Sequence, residues 1–196
     1  MSADAGGTGG ELRLLSRELL YTGRVIDLIV DRVEYPSGAA GVREIARHPG
    51  GSVIVPLLDD GRVLLVTQLR YPIGGRVTEL PAGKLSAGEE PSAAALRELA
   101  EETGYSASAL EHLVTVYTTP GFCDERLHIY MARGLRPVPG GPRREEGELT
   151  MTVEAVPLDE AVRRALRGEL PDAKTIIGLL LAWERLRNTT PDNAIR

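Results

Sequence analysis

The chain has a single cysteine, Cys123, among its 196 residues, so it cannot form an internal disulfide. Lysine is nearly as scarce: it stands only at Lys84 and Lys174, and the other members of the 23 basic residues are arginine. The net charge is −5, which argues against a nucleic-acid binder working through a diffuse basic surface. No apolar run approaches the roughly 18 residues that cross a bilayer as a helix. The opening MSADAGGTGGE has neither a basic nor an apolar stretch, so it does not read as a secretory signal. With the free thiol, this gives a cytoplasmic location as the expectation. The rest is ordinary soluble composition, 42% hydrophobic and 26% charged, which excludes disorder of the whole chain. A chain of this size buries roughly 70% of its extended surface, enough for a proper core.

The head, residues 1–16, is expected to be mobile, because its Gly-rich first ten residues have nothing to bury. Residues 17–49 read as a small antiparallel sheet: β-branched runs such as VIDLIVDRV, a YPSG turn, then VREIAR. A larger domain follows over 50–188, with a tail at 189–196. In it SVIVPLL and VLLVTQ flank Asp59-Asp60-Gly61, a hairpin signal. Further strands are expected at Arg76–Leu80, Val114–Tyr117, Leu127–Ala132 and Met151–Val156. Helices are expected at Ser92–Thr103, Leu158–Arg167 and Ala173–Arg187. Residues 136–148, rich in Pro, Gly and charge, read as a mobile surface loop. Strands and helices do not alternate regularly, so an α+β or mixed α/β fold is expected, not a parallel doubly wound one.

The informative stretch is GKLSAGEEPSAAALRELAEETGY, Gly83 to Tyr105. On a helical wheel of about 100° per residue, Glu98, Glu101 and Glu102 fall within about 100° of arc, with Ala95, Leu96 and Leu99 on a core side. Glu98 and Glu102 are a like-charge i,i+4 pair, and carboxylates stand at the wrong end of the helix dipole. A bound cation would complete such an arrangement, and hard oxygen ligands suit Mg²⁺ or Mn²⁺.

This stretch resembles the Nudix signature, G-x5-E-x7-R-E-U-x-E-E-x-G-U with U apolar or aromatic. Gly83, Glu89, Arg97, Glu98, Leu99, Glu101, Glu102, Gly104 and Tyr105 occupy its positions, with Tyr105 where an aliphatic is usual. The segments VTQLRYPIGGRVTELPAG, TTPGFCDE and REIARHPGG resemble the ADP-ribose pyrophosphatase branch of that family. The resemblance implies an α/β/α sandwich with a mixed central sheet, preceded by the small N-terminal sheet. It also implies a homodimer in which that N-terminal module is exchanged between chains.

The resemblance further implies metal ligation by Glu98, Glu102 and the carbonyl of Ala82. Glu101 would be a further ligand or hold metal waters, and Arg97 would orient the carboxylates. Gly83, Glu89 and Gly104 would shape the loop and helix end. Glu125 matches a position proposed as general base or metal ligand, a role for which the box glutamates remain alternatives. Arg70 and Glu79 resemble substrate-contacting positions, while Pro120 and Gly121 would give their loop a defined turn. Phe122, Tyr35 and Tyr71 are candidate stacking partners for a base. The implied activity is Mg²⁺-dependent hydrolysis of ADP-ribose to AMP and ribose 5-phosphate. The alternatives are a broader nucleotide-sugar diphosphatase, acting on ADP-sugars or GDP-mannose, and a non-catalytic ADP-ribose sensor. The partners expected are that small molecule and a second copy of the chain, with neither nucleic acid nor membrane.

Overall fold

A computed structural model describes residues 12–144 and 146–189. The chain divides into two compact units. The first comprises residues up to Pro49 together with Tyr117–Arg126; the second is Gly50–Val116 with the chain from Leu127 onward.

In the first unit, strands β1 (Arg13–Thr22), β2 (Asp27–Glu34) and β3 (Ala40–Arg47) form an antiparallel sheet in that order. β1 begins inside the head set at 1–16, because Arg13 and Leu14 pair with Glu34 and Val33; residues 1–11 lie outside the described residues. The segment 117–126, which the sequence boundaries assign to the larger domain, belongs to this unit instead. Backbone bonds Ala46 N to Phe122 O (2.8 Å) and Asp124 N to Ala46 O (3.3 Å) lay it along the end of β3.

The second unit contains β4 (Gly51–Pro56), β5 (Arg62–Arg70), β6 (Gly75–Glu79) and β7 (Ala82–Lys84). Helix α1 (Pro91–Glu98) follows, then the strands β8 (Tyr105–Ser106) and β9 (Ala109–Tyr117). β10 (Arg126–Arg133), β11 (Arg136–Pro137) and β12 (Thr152–Pro157) precede α2 (Leu158–Leu166) and α3 (Ala173–Thr189). One sheet has the order β7-β4-β10-β9, with β4 and β10 parallel and β4 and β7 antiparallel. A second has the antiparallel order β12-β5-β6. The Asp59-Asp60-Gly61 turn forms, with Gly61 at φ 83°, but the expected hairpin does not continue. After a lone bridge between Leu57 and Val63, β4 and β5 part into different sheets.

β4 is buried along its length, as a strand covered on both faces must be. Its side chains alternate. Val53 and Val55 pack with Leu65, Ala161 and Leu179 on the face covered by α2 and α3, whereas Ile54 packs with Leu64, Ala95 and Leu99 under α1. The result is an α+β fold with helices on both faces of a mixed sheet. α3 approaches so closely that a β-carbon at Gly178 would lie 2.5 Å from Leu80. No helix among the described residues is long and apolar enough to cross a membrane.

Candidate active site

The acidic helix starts at Pro91, whose missing N–H suits a first turn. It is α-helical to Glu98, then widens into a π turn over Leu99–Thr103 and stops at Gly104, φ 76°. The wheel's division into a core side and a carboxylate side does not hold. Leu96 is exposed, while Glu98 and Glu102 are buried with Ala94, Ala95 and Leu99. These two carboxylates face β7, where small residues leave them room. A β-carbon at Gly83 would stand 1.9 Å from the Glu98 carboxyl, so no other residue fits there without displacing it. The Ala82 amide donates to Glu102 Oε2 at 3.1 Å.

Arg97 organises the remainder. Its Nη1 donates to Glu98 Oε1 (2.6 Å) and Glu101 Oε2 (3.0 Å), while Nε and Nη2 hold both oxygens of Glu89. Nη2 also reaches the Lys84 carbonyl (3.2 Å). Glu89 further accepts from the Ser86 amide (2.9 Å), which braces the loop before the helix. Arg97 and that amide together hold the Glu89 carboxyl at about 2. Burial pushes Glu98 up despite Arg97. Among the described residues no cation is bonded to Glu102; burial, then the charges of Glu98 and Glu148, lift it to about 8.

Glu148 is the carboxylate that sequence reasoning missed. It lies in a segment read as a mobile loop, yet its charge acts on both Glu98 and Glu102. That loop is docked against the helix end. Val138 N donates to Gly104 O (2.8 Å) and Arg143 N to Glu101 O (3.0 Å). The Arg144 guanidinium donates to Glu102 O (2.9 and 3.2 Å) and Met151 O (2.6 Å). Carbonyls at a helix C-terminus need such donors. Spacing in the sequence offers no signal for this.

Arg70 and Glu79 also belong to this unit. Glu79 is only 1% exposed and its oxygens are held by Arg70 and Lys174, so it is an enclosed anchor and Arg70 the half-exposed group. The charge of Glu102 reaches Arg70. Tyr71 is exposed.

The remaining expected positions lie in the first unit. Pro120 and Gly121 form a turn closed by Phe122 N to Thr119 O (3.1 Å), with Gly121 outside the left-handed region. Glu125 accepts from the Thr118 hydroxyl (2.8 Å) and sits 3.3 Å from His48 Nδ1. Phe122 is exposed. The Tyr35 ring lies under Arg43, 5.4 Å from its guanidinium carbon.

Among the described residues no three of His, Cys, Asp and Glu already converge as a metal cage. The box nevertheless suits a hard divalent cation by chemistry. It offers two buried carboxylates whose mutual repulsion is unrelieved at Glu102, and oxygen donors throughout.

The chain is similar to several known proteins. The chain is 41% identical over 165 residues to an ADP-ribose pyrophosphatase of Bacillus subtilis, covering 84% of this chain and 89% of that one. It is 43% identical over 171 residues to an ADP-ribose pyrophosphatase of Mycobacterium tuberculosis, covering 87% and 82%. It is 39% identical over 169 residues to the methanol dehydrogenase activator of Bacillus methanolicus, covering 86% and 91%. The fold is shared with the crystal structure of an ADP compounds hydrolase, at TM-score 0.80 and 21% identity over 92% of this chain and 96% of that one. Residues 47–178 match the NUDIX domain, whose hydrolases generally need divalent metal ions. With the signature complete and residues 47–178 matched, the chain belongs to the Nudix hydrolase family.

Proposed function

We propose that this Nudix hydrolase cleaves the diphosphate of ADP-ribose, giving AMP and ribose 5-phosphate. The observation that carries this reading is the 41% and 43% identity to ADP-ribose pyrophosphatases over most of both chains. A water oxygen bonds to one phosphorus, the bridging P–O bond breaks, and the bridging oxygen leaves on the other phosphate. The proposed cofactor is Mg²⁺, with Mn²⁺ as a substitute, held by Glu98, Glu102 and the Ala82 carbonyl with help from Glu101. When bound, such an ion neutralises phosphate oxygens and acidifies a water.

The chain's own residues do the rest. Arg97 holds Glu98 and Glu101 in one orientation. Arg70 presents its guanidinium to the diphosphate. A carboxylate takes the proton from the attacking water. Glu148 is proposed for this step, because its charge already acts on Glu98 and Glu102; Glu125 is its rival. A homodimer made through the N-terminal sheet, and a cytoplasmic location, complete the proposal.

The test is a substrate panel in Mg²⁺ with ADP-ribose, ADP-glucose, GDP-mannose and diadenosine tetraphosphate, scored by chromatography of products. ADP-ribose is expected to lead by at least about tenfold in kcat/KM, ~1.4 kcal/mol. Equal turnover of GDP-mannose would favour the broader diphosphatase, and no turnover with any divalent ion would favour a sensor. Glu148→Gln should cost about a hundredfold or more in kcat, ~3 kcal/mol. A loss of that size in Glu125→Gln alone would move the base to Glu125.

A further inference from the structure

Beside the acidic helix lies a charge-neutral cluster of Arg70, Glu79, Asp172 and Lys174. Arg70 Nε donates to Glu79 Oε1 at 2.8 Å, and the Lys174 ammonium pairs with Oε2. Lys174 also pairs with Asp172 (2.9 Å), which accepts from the Thr175 amide (3.0 Å) and so caps the first turn of α3. The Thr175 hydroxyl in turn accepts from the Leu80 amide at 2.8 Å, just past β6. The ammonium is therefore fixed to both the helix start and the strand end.

Two features of this cluster call for a reason. A guanidinium facing a carboxylate commonly takes both oxygens through parallel bonds. Here Lys174 holds one oxygen, Arg70 keeps a single bond through Nε, and its terminal nitrogens make no hydrogen bond among the described residues. Second, a cation in the first turn opposes the helix dipole, and this chain uses arginine for all but two of its basic residues. Lysine is a compact point charge that can cover one carboxylate oxygen; an arginine would bring a planar fork.

We propose that Lys174 is a positioning residue. By occupying Glu79 Oε2 it confines Arg70 to its Nε bond and leaves both terminal nitrogens free as a fork for a phosphate of the substrate. The inference rests on the diphosphate reading above. The charge of Glu102 at Arg70 supports it, since it sets the guanidinium beside the box carboxylates.

Lys174→Met keeps the side-chain stem and removes the charge. In its crystal structure Arg70 is expected to turn onto both Glu79 oxygens. KM for ADP-ribose should then rise about tenfold with kcat within about twofold, the pattern of lost uniform binding. Calorimetric affinity for ADP-ribose in chelator should fall by a similar factor. In an Arg70→Ala background the same substitution should change KM by less than about twofold, because its effect passes through Arg70. A merely structural role would add to the loss in that background. If Lys174→Met folds poorly by its melting point, Lys174→Gln, too short to cover Glu79, takes its place in every arm. An unchanged single Nε bond in the crystal, an unchanged KM, or an additive cycle overturns the proposal. If the wild type neither binds nor cleaves ADP-ribose, the substrate reading falls, while the pose of Arg70 in the variant still decides what Lys174 does.

Discussion

At the scale of single residues, the site is defined by how unequally its carboxylates are treated. Glu89 has the whole side of a guanidinium and an amide, and is held at about 2. Glu102 has one amide and several negative neighbours, and is lifted from 4.5 to about 8. In the metal-free fold Glu102 therefore keeps a proton that the unfolded chain releases near pH 4.5. Its contribution to stability falls as pH rises from about 4.5 to about 8 and then levels off. A cation on the charged carboxylates offsets that loss by mass action. Melting points taken from pH 5 to 9 should fall in chelator, and the gap to the curve in Mg²⁺ should widen up to about pH 8. Glu89 contributes nothing to this window, since its stabilisation is lost only as pH drops from 4.5 towards 2. A gap that is the same at pH 5 and pH 8 would mean that Glu102 is not coupled to metal binding.

At the scale of elements, the helix and the loop docked on its end form one device. The π turn at Leu99–Thr103 leaves carbonyls at Glu101, Glu102 and Gly104 to be satisfied, and residues 138–144 supply the donors. Arg144→Ala removes the charged donors from Glu102 O and Met151 O, and should cost ~1–3 kcal/mol of stability. It should also lower kcat, because Arg144 ties the Glu102 carbonyl to that of Met151, whose amide is bonded to the Glu148 carbonyl; a variant with lowered melting point but normal kcat would reduce Arg144 to a staple.

The helix itself was legible, since Pro91, the Ala-Leu run and Gly104 are local signals. The loop was not. Its Pro, Gly and charged residues look like a solvated connection, and nothing in their spacing shows that Arg144 reaches a carbonyl 42 residues back in the chain. The burial of Glu98 and Glu102 was hidden for a similar reason. A wheel assigns carboxylates to water, whereas the space over Gly83 exists only once β7 and α1 meet. Lys174, a residue in an apolar helix by sequence, gains its partner Glu79 only through the packing of α3 against the strands, 95 residues away.

At the scale of the whole molecule, the first unit is too thinly cored to stand as it is. Every residue of β1 is exposed, and Leu14, Leu15, Leu19, Leu20 and Tyr21 account for much of its apolar surface. Only Ile29 and Val33 are buried apolar residues in the three strands, with Asp31 enclosed beside Arg17. A three-stranded sheet needs a packed face to be stable, and an exposed apolar edge strand invites another chain. In the proposed homodimer a two-fold axis would set the same leucine-rich strand against itself, satisfying both copies at once. Light scattering of the full chain should therefore give twice the chain mass. Leu19→Glu with Tyr21→Glu puts like charges into that contact, and should shift the mass towards the monomer and lower the melting point. The double variant separates the two roles of the sheet: a folded monomer with full activity would show that the dimer stabilises β1 without contributing to the site. A wild-type monomer that is stable and active at micromolar concentration would remove the second copy altogether and leave the apolar face of β1 without an occupant.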